Sequence, residues 1–432
     1  MTSADASTPL PQGSGGAAVV HPPRALIFTY LGTLLVLMTF ARPYIGFIDI
    51  PISFFIKNKL HLSAEGVAEF RLIAGIPLYL SFVFGFVRDT FNPFGLKDRG
   101  FLLLFGGLGT VLYLGFMLLP VSNATVLTLL TATTMAMLFV AAGQAGLSAV
   151  IGKQLQMSGQ VAAVWQIAEY VPMLAGFFLG GYVSDQLEGN NATRAAHLIF
   201  LMGAAAMAAI ALFGLWHPKR IFARLHGEED APPRRRLSDI RRLVNHWPFY
   251  PAMAIWFLWS FAPGYNTPLQ FYLQNTLHAS DAAYADWYTI FVAGFVPFFI
   301  LFGWLCRRFS LRTLLFWGTL VAVPQAIPLF FIHTVTGSLI AAAAMGAMGG
   351  VATAAYIDLI IRSSPDGLEG TTVMMSGALY YIAVRFGDVL GTWLYSHFGG
   401  FGVCIVAITV VYALMVPILF TIPRRITEPK DI

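Results

Sequence analysis

The sequence predicts an all-α membrane protein, with about twelve transmembrane helices in two pseudo-symmetric halves of six. Three observations lead there. Of its 432 residues, 57% are hydrophobic and 11% charged, and the mean hydropathy is +0.71. A soluble domain could not keep that much apolar surface out of water. About twelve apolar stretches reach the ~20 residues needed to cross a bilayer. The second half also repeats the first at an offset of about 217 residues, with both copies the same way up.

Residues 1–23 are rich in Ser, Gly, Ala and Pro and read as a disordered cytoplasmic tail. A cleaved signal peptide is not expected, because the apolar run after Arg24 far exceeds an h-region of about 7–15 residues. Six segments follow, near 26–56, 64–87, 100–120, 123–150, 158–182 and 195–216, and make an N-terminal bundle over 24–216. A basic cytoplasmic linker, 217–247, carries Arg234, Arg235, Arg236, Arg241 and Arg242. Six more segments, near 248–274, 282–305, 311–332, 335–362, 369–396 and 399–422, make a C-terminal bundle over 248–423. Residues 424–432 are a second cytoplasmic tail. On this plan about 20 of the 26 Lys and Arg residues fall on the side of the N-terminus, which places both termini in the cytoplasm and the chain in a plasma or inner membrane. Orientation, rather than nucleic acid, accounts for the net charge of +5.

The repeat is visible residue by residue. Pro51, Phe54, Asn58, Leu60, His61 and Ser63 align with Pro268, Phe271, Asn275, Leu277, His278 and Ser280. At nearly the same offset, Gly85 and its charged loop meet Gly303 with Arg307, Arg308 and Arg312. A parallel repeat of six spans is the plan of alternating-access transporters.

Charges inside spans need a reason, since each costs at least ~2.5–3.5 kcal/mol at the bilayer centre. Arg42 and Asp49 lie seven apart on the first span, on one helical face beside Pro43 and Pro51. Arg385 and Asp388 lie three apart on the eleventh. Guanidinium is always charged and matches a carboxylate or phosphate as a fork, so Arg42 and Arg385 are candidate anion ligands; structural pairs with buried acids are the alternative. Glu169, on the fifth span, has no basic neighbour on its own helix and is the candidate for proton coupling, with Asp49 and Asp388 as further candidates. Neutralisation by an Arg from another span is its alternative. Asp358 and Arg362, four apart near a span end, read as a surface pair. Trp256, Trp259, Phe261, Tyr265, Tyr356, Tyr380 and Tyr381 are available to stack on a planar substrate, or simply to pack; Trp259 and Tyr356 are chosen as substrate-binding candidates.

No enzyme motif is present: there is no Gly-x-Ser-x-Gly, no P-loop and no paired-ligand spacing among the nine His, and Cys306 and Cys404 suggest neither disulfide nor metal. No metal or cofactor is expected. Without an ATP site, any transport must draw on a gradient or on the substrate itself.

The loop Gly85, Asp89, Gly95, Arg99 resembles a lengthened form of the conserved loop between helices 2 and 3 of the major facilitator superfamily. The resemblance implies the major facilitator fold, a cavity lined by helices 1, 4, 7 and 10, and an Asp89 that faces the start of helix 11 at Gly370, Thr371 and Thr372. Unpaired N–H groups there favour a carboxylate by about 0.3–1 kcal/mol. In the second half Arg307 replaces the acid. More narrowly, Phe54 to Ser63, Ile76-Pro77, Gly85, Asp89-Thr90, Pro93 to Gly95 and Arg99, with Asp358 to Thr371, resemble the folate-biopterin transporter family; Ser81, Gln144 and Ser148 depart from its pattern. The chain is therefore expected to be a monomeric secondary active transporter in the lipid bilayer. It would move a small organic anion, such as a folate- or pteridine-like compound, with a proton or another coupling ion. A transporter of a neutral sugar or drug, and a non-transporting receptor or scaffold, are the other two readings.

Overall fold

In a chain this apolar, helix ends are set by proline, glycine and charge rather than by loss of hydrophobicity. The structure is a computed structural model that describes residues 22–45, 48, 52, 60, 64–188, 192–222, 236–279 and 281–431. The first half contains α1 (Arg24–Ala41), α2 in three pieces (Ala64–Ala74, Ile76–Tyr79, Ser81–Thr90), α3 (Asp98–Leu118), α4 (Asn123–Gln154), α5 (Ser158–Glu188) and α6 (Ala192–Phe213). The second half contains α7 (Phe249–Ser260, resumed at Thr267–Phe271), α8 (Asp281–Arg308) and α9 (Leu311–Ala322, tightened into a 3₁₀ segment Val323–Phe331). It ends with α10 (Val335–Ser363), α11 (Glu369–His397) and α12 (Phe401–Ala413 with Met415–Leu419). Short helices Lys219–Phe222 and Arg236–Val244 stand between the halves. The tail of residues 1–21, Asp49, the repeat segment 53–59 and the linker residues 223–235 lie outside the described residues.

Among the described residues, eight of these spans are long and apolar enough to cross a membrane by themselves. The leading span of each half departs from the continuous helix expected from its hydropathy. Helix α1 stops at Ala41 because Arg42 (φ −66°, ψ 126°) precedes Pro43, whose ring excludes the helical conformation at the residue before it. Helix α7 stops at Ser260, and Pro263 and Gly264 (φ +147°) carry the chain through a turn before it resumes. The two breaks are at nearly equivalent points of the repeat.

Within the halves, α3 packs on α6 and α8 on α10; between them, α2 packs on α11 and α5 on α8. The repeat glycines are at these last two contacts. A Cβ on Gly85 would lie 2.4 Å from the Gly370 carbonyl oxygen, and one on Gly303 would lie 3.2 Å from Ala163 Cβ. Absence of a side chain at Gly85 is thus what lets α2 and the start of α11 meet.

Gly85→Val should part α2 from α11, overpacking costing about 1–3 kcal/mol. A cysteine placed at the buried Ile361, in a chain lacking Cys306 and Cys404, should then react with maleimide about tenfold faster or more. Unchanged labelling would show that the contact does not hold this face shut.

Candidate functional site

Between the halves lies a cavity of about 350 Å³, within the range of small-molecule sites. The segment just past α1 (Arg42, Tyr44, Ile45) and helices α4, α5, α7, α8, α10 and α11 make most of its wall, with Ser81 of α2, Gln325 of α9 and Tyr412 of α12. Arg42, freed from helix geometry by Pro43, turns into it and pairs with Glu169 of α5. The Trp165 indole donates to the other Glu169 oxygen at 3.0 Å. Among the described residues, Arg42 and Glu169 are the charged side chains of the lining. Their side chains are only 10% and 22% exposed, so deleting either partner would strand the other, a loss of about 3–5 kcal/mol for a buried pair. Tyr44 and Tyr381 meet edge to face beside them, with centroids 6.4 Å apart.

Other sequence candidates are placed differently. Trp259 lines the cavity, but Tyr356 stands behind it, buried, sharing a 2.8 Å hydrogen bond with Thr319 and buttressing Trp259 edge to face at 5.5 Å. Arg385 is a correction: it is exposed on the flank of α11 that also presents Phe386 and Val389, and does not line the cavity. Asp388 is not its partner. Its carboxylate instead accepts the N–H and hydroxyl of Thr267, each at 3.0 Å, where α7 resumes with unpaired donors. Asp358 and Arg362 do pair, at 2.8 Å, but Asp358 is completely buried rather than on the surface. Asp49 is outside the described residues.

At one end of the bundle, here the basic face, polar groups join the halves. Asp89 accepts hydrogen bonds from the N–H of Gly370 (3.1 Å), the N–H of Thr371 (2.6 Å) and the Thr371 hydroxyl (2.6 Å) at the start of α11. Arg88, noted in the sequence only as part of the charged loop, braces this acid at 2.8 Å and grips Asp98 with a fork of two 2.5 Å bonds. Gly95 (φ +70°) turns the loop. Arg99 points elsewhere, donating to the carbonyls of Gly214 and Leu215 at the end of α6. Lys153 at the end of α4 reaches Ser364 O (2.8 Å), Asp366 (2.6 Å) and Glu369 (3.2 Å).

The second half has Arg307 where the first has Asp89, and the start of α5 receives its carboxylate from the tail. Asp431 accepts the Gln160 N–H at 2.8 Å and the Arg362 guanidinium at 2.8 Å, while its own N–H donates to the Cys306 carbonyl at 3.2 Å. Burial, with Asp358 close by, pushes the Asp431 carboxyl up to about 6, against the pull of Arg362.

The family model of the Major Facilitator Superfamily matches residues 165–384, just over half of the sequence. The chain belongs to the Major Facilitator Superfamily. Solved structures with the same fold include the proton:xylose symporter XylE bound to 6-bromo-6-deoxy-D-glucose, at 12% identity, with 94% of this chain and 97% of that chain covered and a TM-score of 0.67. The human organic anion transporter MFSD10 (TETRAN) aligns at 16% identity over 92% and 100% of the chains, TM-score 0.61. The Major Facilitator transporter FucP, in the outward conformation, aligns at 13% identity over 92% and 99%, TM-score 0.67. No curated protein matches in sequence. As a Major Facilitator chain, this is a multi-pass membrane transporter.

The tail contact predicts a pH dependence. The docked Asp431 carboxyl sits above its ordinary value of 3.8, so its contribution is full below about pH 4 and is lost as pH rises through about 6. Asp431→Asn stays neutral throughout. Its melting temperature should match the parent near pH 4 and exceed it at pH 7.5; a gap that is constant with pH would contradict the assignment.

Proposed function

We propose that this transporter carries a small organic anion together with a proton, and that Arg42 and Glu169 exchange partners to couple the two. The single observation behind this is the cross-span ion pair in a wall otherwise free of charge among the described residues. An incoming carboxylate takes the guanidinium. Glu169, released from its cation in a low-dielectric chamber, would be an uncompensated charge, and a proton neutralises it. Anion and proton thus enter together, and neither is held well alone. Asp49 and Asp388 are secondary candidates for the proton; Asp388 has a competing structural role at Thr267. Arg385 is left out of the site.

The basic face is cytoplasmic on this reading, in keeping with the positive-inside rule. The links made by Asp89, Lys153 and Asp431 then hold the cytoplasmic end closed, so the chamber is approached from the far side. Similarity to the folate-biopterin transporters, together with the aromatic wall, supports a flat anion such as a folate- or pteridine-like compound. A neutral solute is the second reading, favoured by the fact that Arg42 and Glu169 already neutralise each other.

In proteoliposomes, Glu169→Gln should abolish gradient-driven accumulation of the anion and keep counterflow exchange; loss of both would remove Glu169 from coupling. Arg42→Gln combined with Glu169→Gln should weaken anion binding about tenfold or more, the worth of a charged hydrogen bond. Undiminished uptake by that double variant would favour the neutral solute.

A further inference from the structure

Gln325 stands in the wall of the same chamber and takes no part in the exchange just described. Its side chain is wholly buried and lines the cavity, and neither Oε1 nor Nε2 has a partner among the described residues. Buried carboxamides are ordinarily paired, and an unpaired one destabilises the fold that holds it. The local backbone explains how it comes to be there. Pro324 and Pro328 tighten the end of α9 into the 3₁₀ segment, which turns Gln325, Ala326 and Leu329 inward.

Three groups converge around it. A Cβ built on Gly349 of α10 would lie 2.9 Å from Gln325 Oε1, 2.9 Å from Phe295 Cε1 and 3.1 Å from Trp259 Cη2. The amide oxygen and the two aromatic edges therefore share the space that a side chain at Gly349 would fill. Trp259 is held in place by stacking on Tyr412 at 4.9 Å.

We propose that Gln325 reads a second pole of the transported solute, a hydrogen-bond donor and acceptor side by side on a flat ring, as in an aromatic carboxamide. A carboxamide offers one donor edge and one acceptor edge and so pairs with its own kind through two parallel bonds. The solute's ring would lie against Trp259 and Phe295. Such a site rejects analogues lacking the donor, because its buried amide is then left unpaired. The assignment rests on the chamber being a solute site. It adds a pole on the C-terminal half to the anion pole that Arg42 supplies from the N-terminal half.

The test uses two probes, 4-carbamoylbenzoate and monomethyl terephthalate, which share ring, carboxylate and carbonyl and differ in the amide N–H donors. Binding to the purified full chain is followed by tryptophan fluorescence. The parent should prefer the carbamoyl probe by about tenfold or more. Gln325→Leu should abolish that preference by weakening the carbamoyl probe alone, and should melt higher than the parent without ligand, since the unpaired amide is gone. Equal affinities in the parent, binding of neither probe, or a preference that survives in Gln325→Leu would overturn the proposal. Arg42→Gln separates the two readings. If it weakens both probes and leaves the preference, both stand. If it changes nothing while neutral benzamide shows a Gln325-dependent affinity, the anion reading falls and the Gln325 site remains.

Discussion

A guanidinium and a carboxylate in the middle of an apolar bundle persist by holding each other, and Arg42 and Glu169 do so from two different spans. The pair makes the chamber possible: it allows charge to face a cavity in a protein that has little else to stabilise charge there. The surrounding architecture serves that placement. Pro43 breaks α1 where the arginine must leave the helix, and Trp165, one turn before Glu169 on α5, fixes the far oxygen of the carboxylate. A continuous first span would have carried Arg42 on a regular helical face instead.

The halves share buried apolar packing, with Leu78, Phe84 and Leu138 against Met374 and Tyr170 against Phe295 and Phe299. The polar part of the interface is made by close backbone approach at glycines and by carboxylates seated on helix starts. These contacts are strong in the closed arrangement and vanish over a small displacement, because both hydrogen bonds and helix-end fields are short in range.

Much of the fold was legible in the sequence because the bilayer leaves few options: apolar length fixes the spans. The meeting of Asp89 with α11 was legible through a loop resemblance. The candidate site was legible only in part. Arg42 and Glu169 each drew notice as misplaced charges, but 127 residues separate them, and no local spacing announces such a pair. Arg385 drew the same notice and faces outward, since a helix apolar on every side has no amphipathic stripe to tell cavity from lipid. Pro43 was noted beside Arg42, whereas Pro263 and the prolines around Gln325 were available signs, left unused, that α7 and α9 depart from regular helix. Asp431 had none: an acid in a polar tail is unremarkable until the tail is seen lying across α5 and α10.

That tail makes the two repeat-related closures unlike in kind. Asp89 is rigidly part of a span, whereas Asp431 is reached through a short helix, Arg424–Thr427, and a few residues beyond it. A tethered ligand of this sort competes at a high local concentration, yet it can let go without any span moving. Of the two repeat-related carboxylate contacts, one is thus carried by a span and the other by a tail.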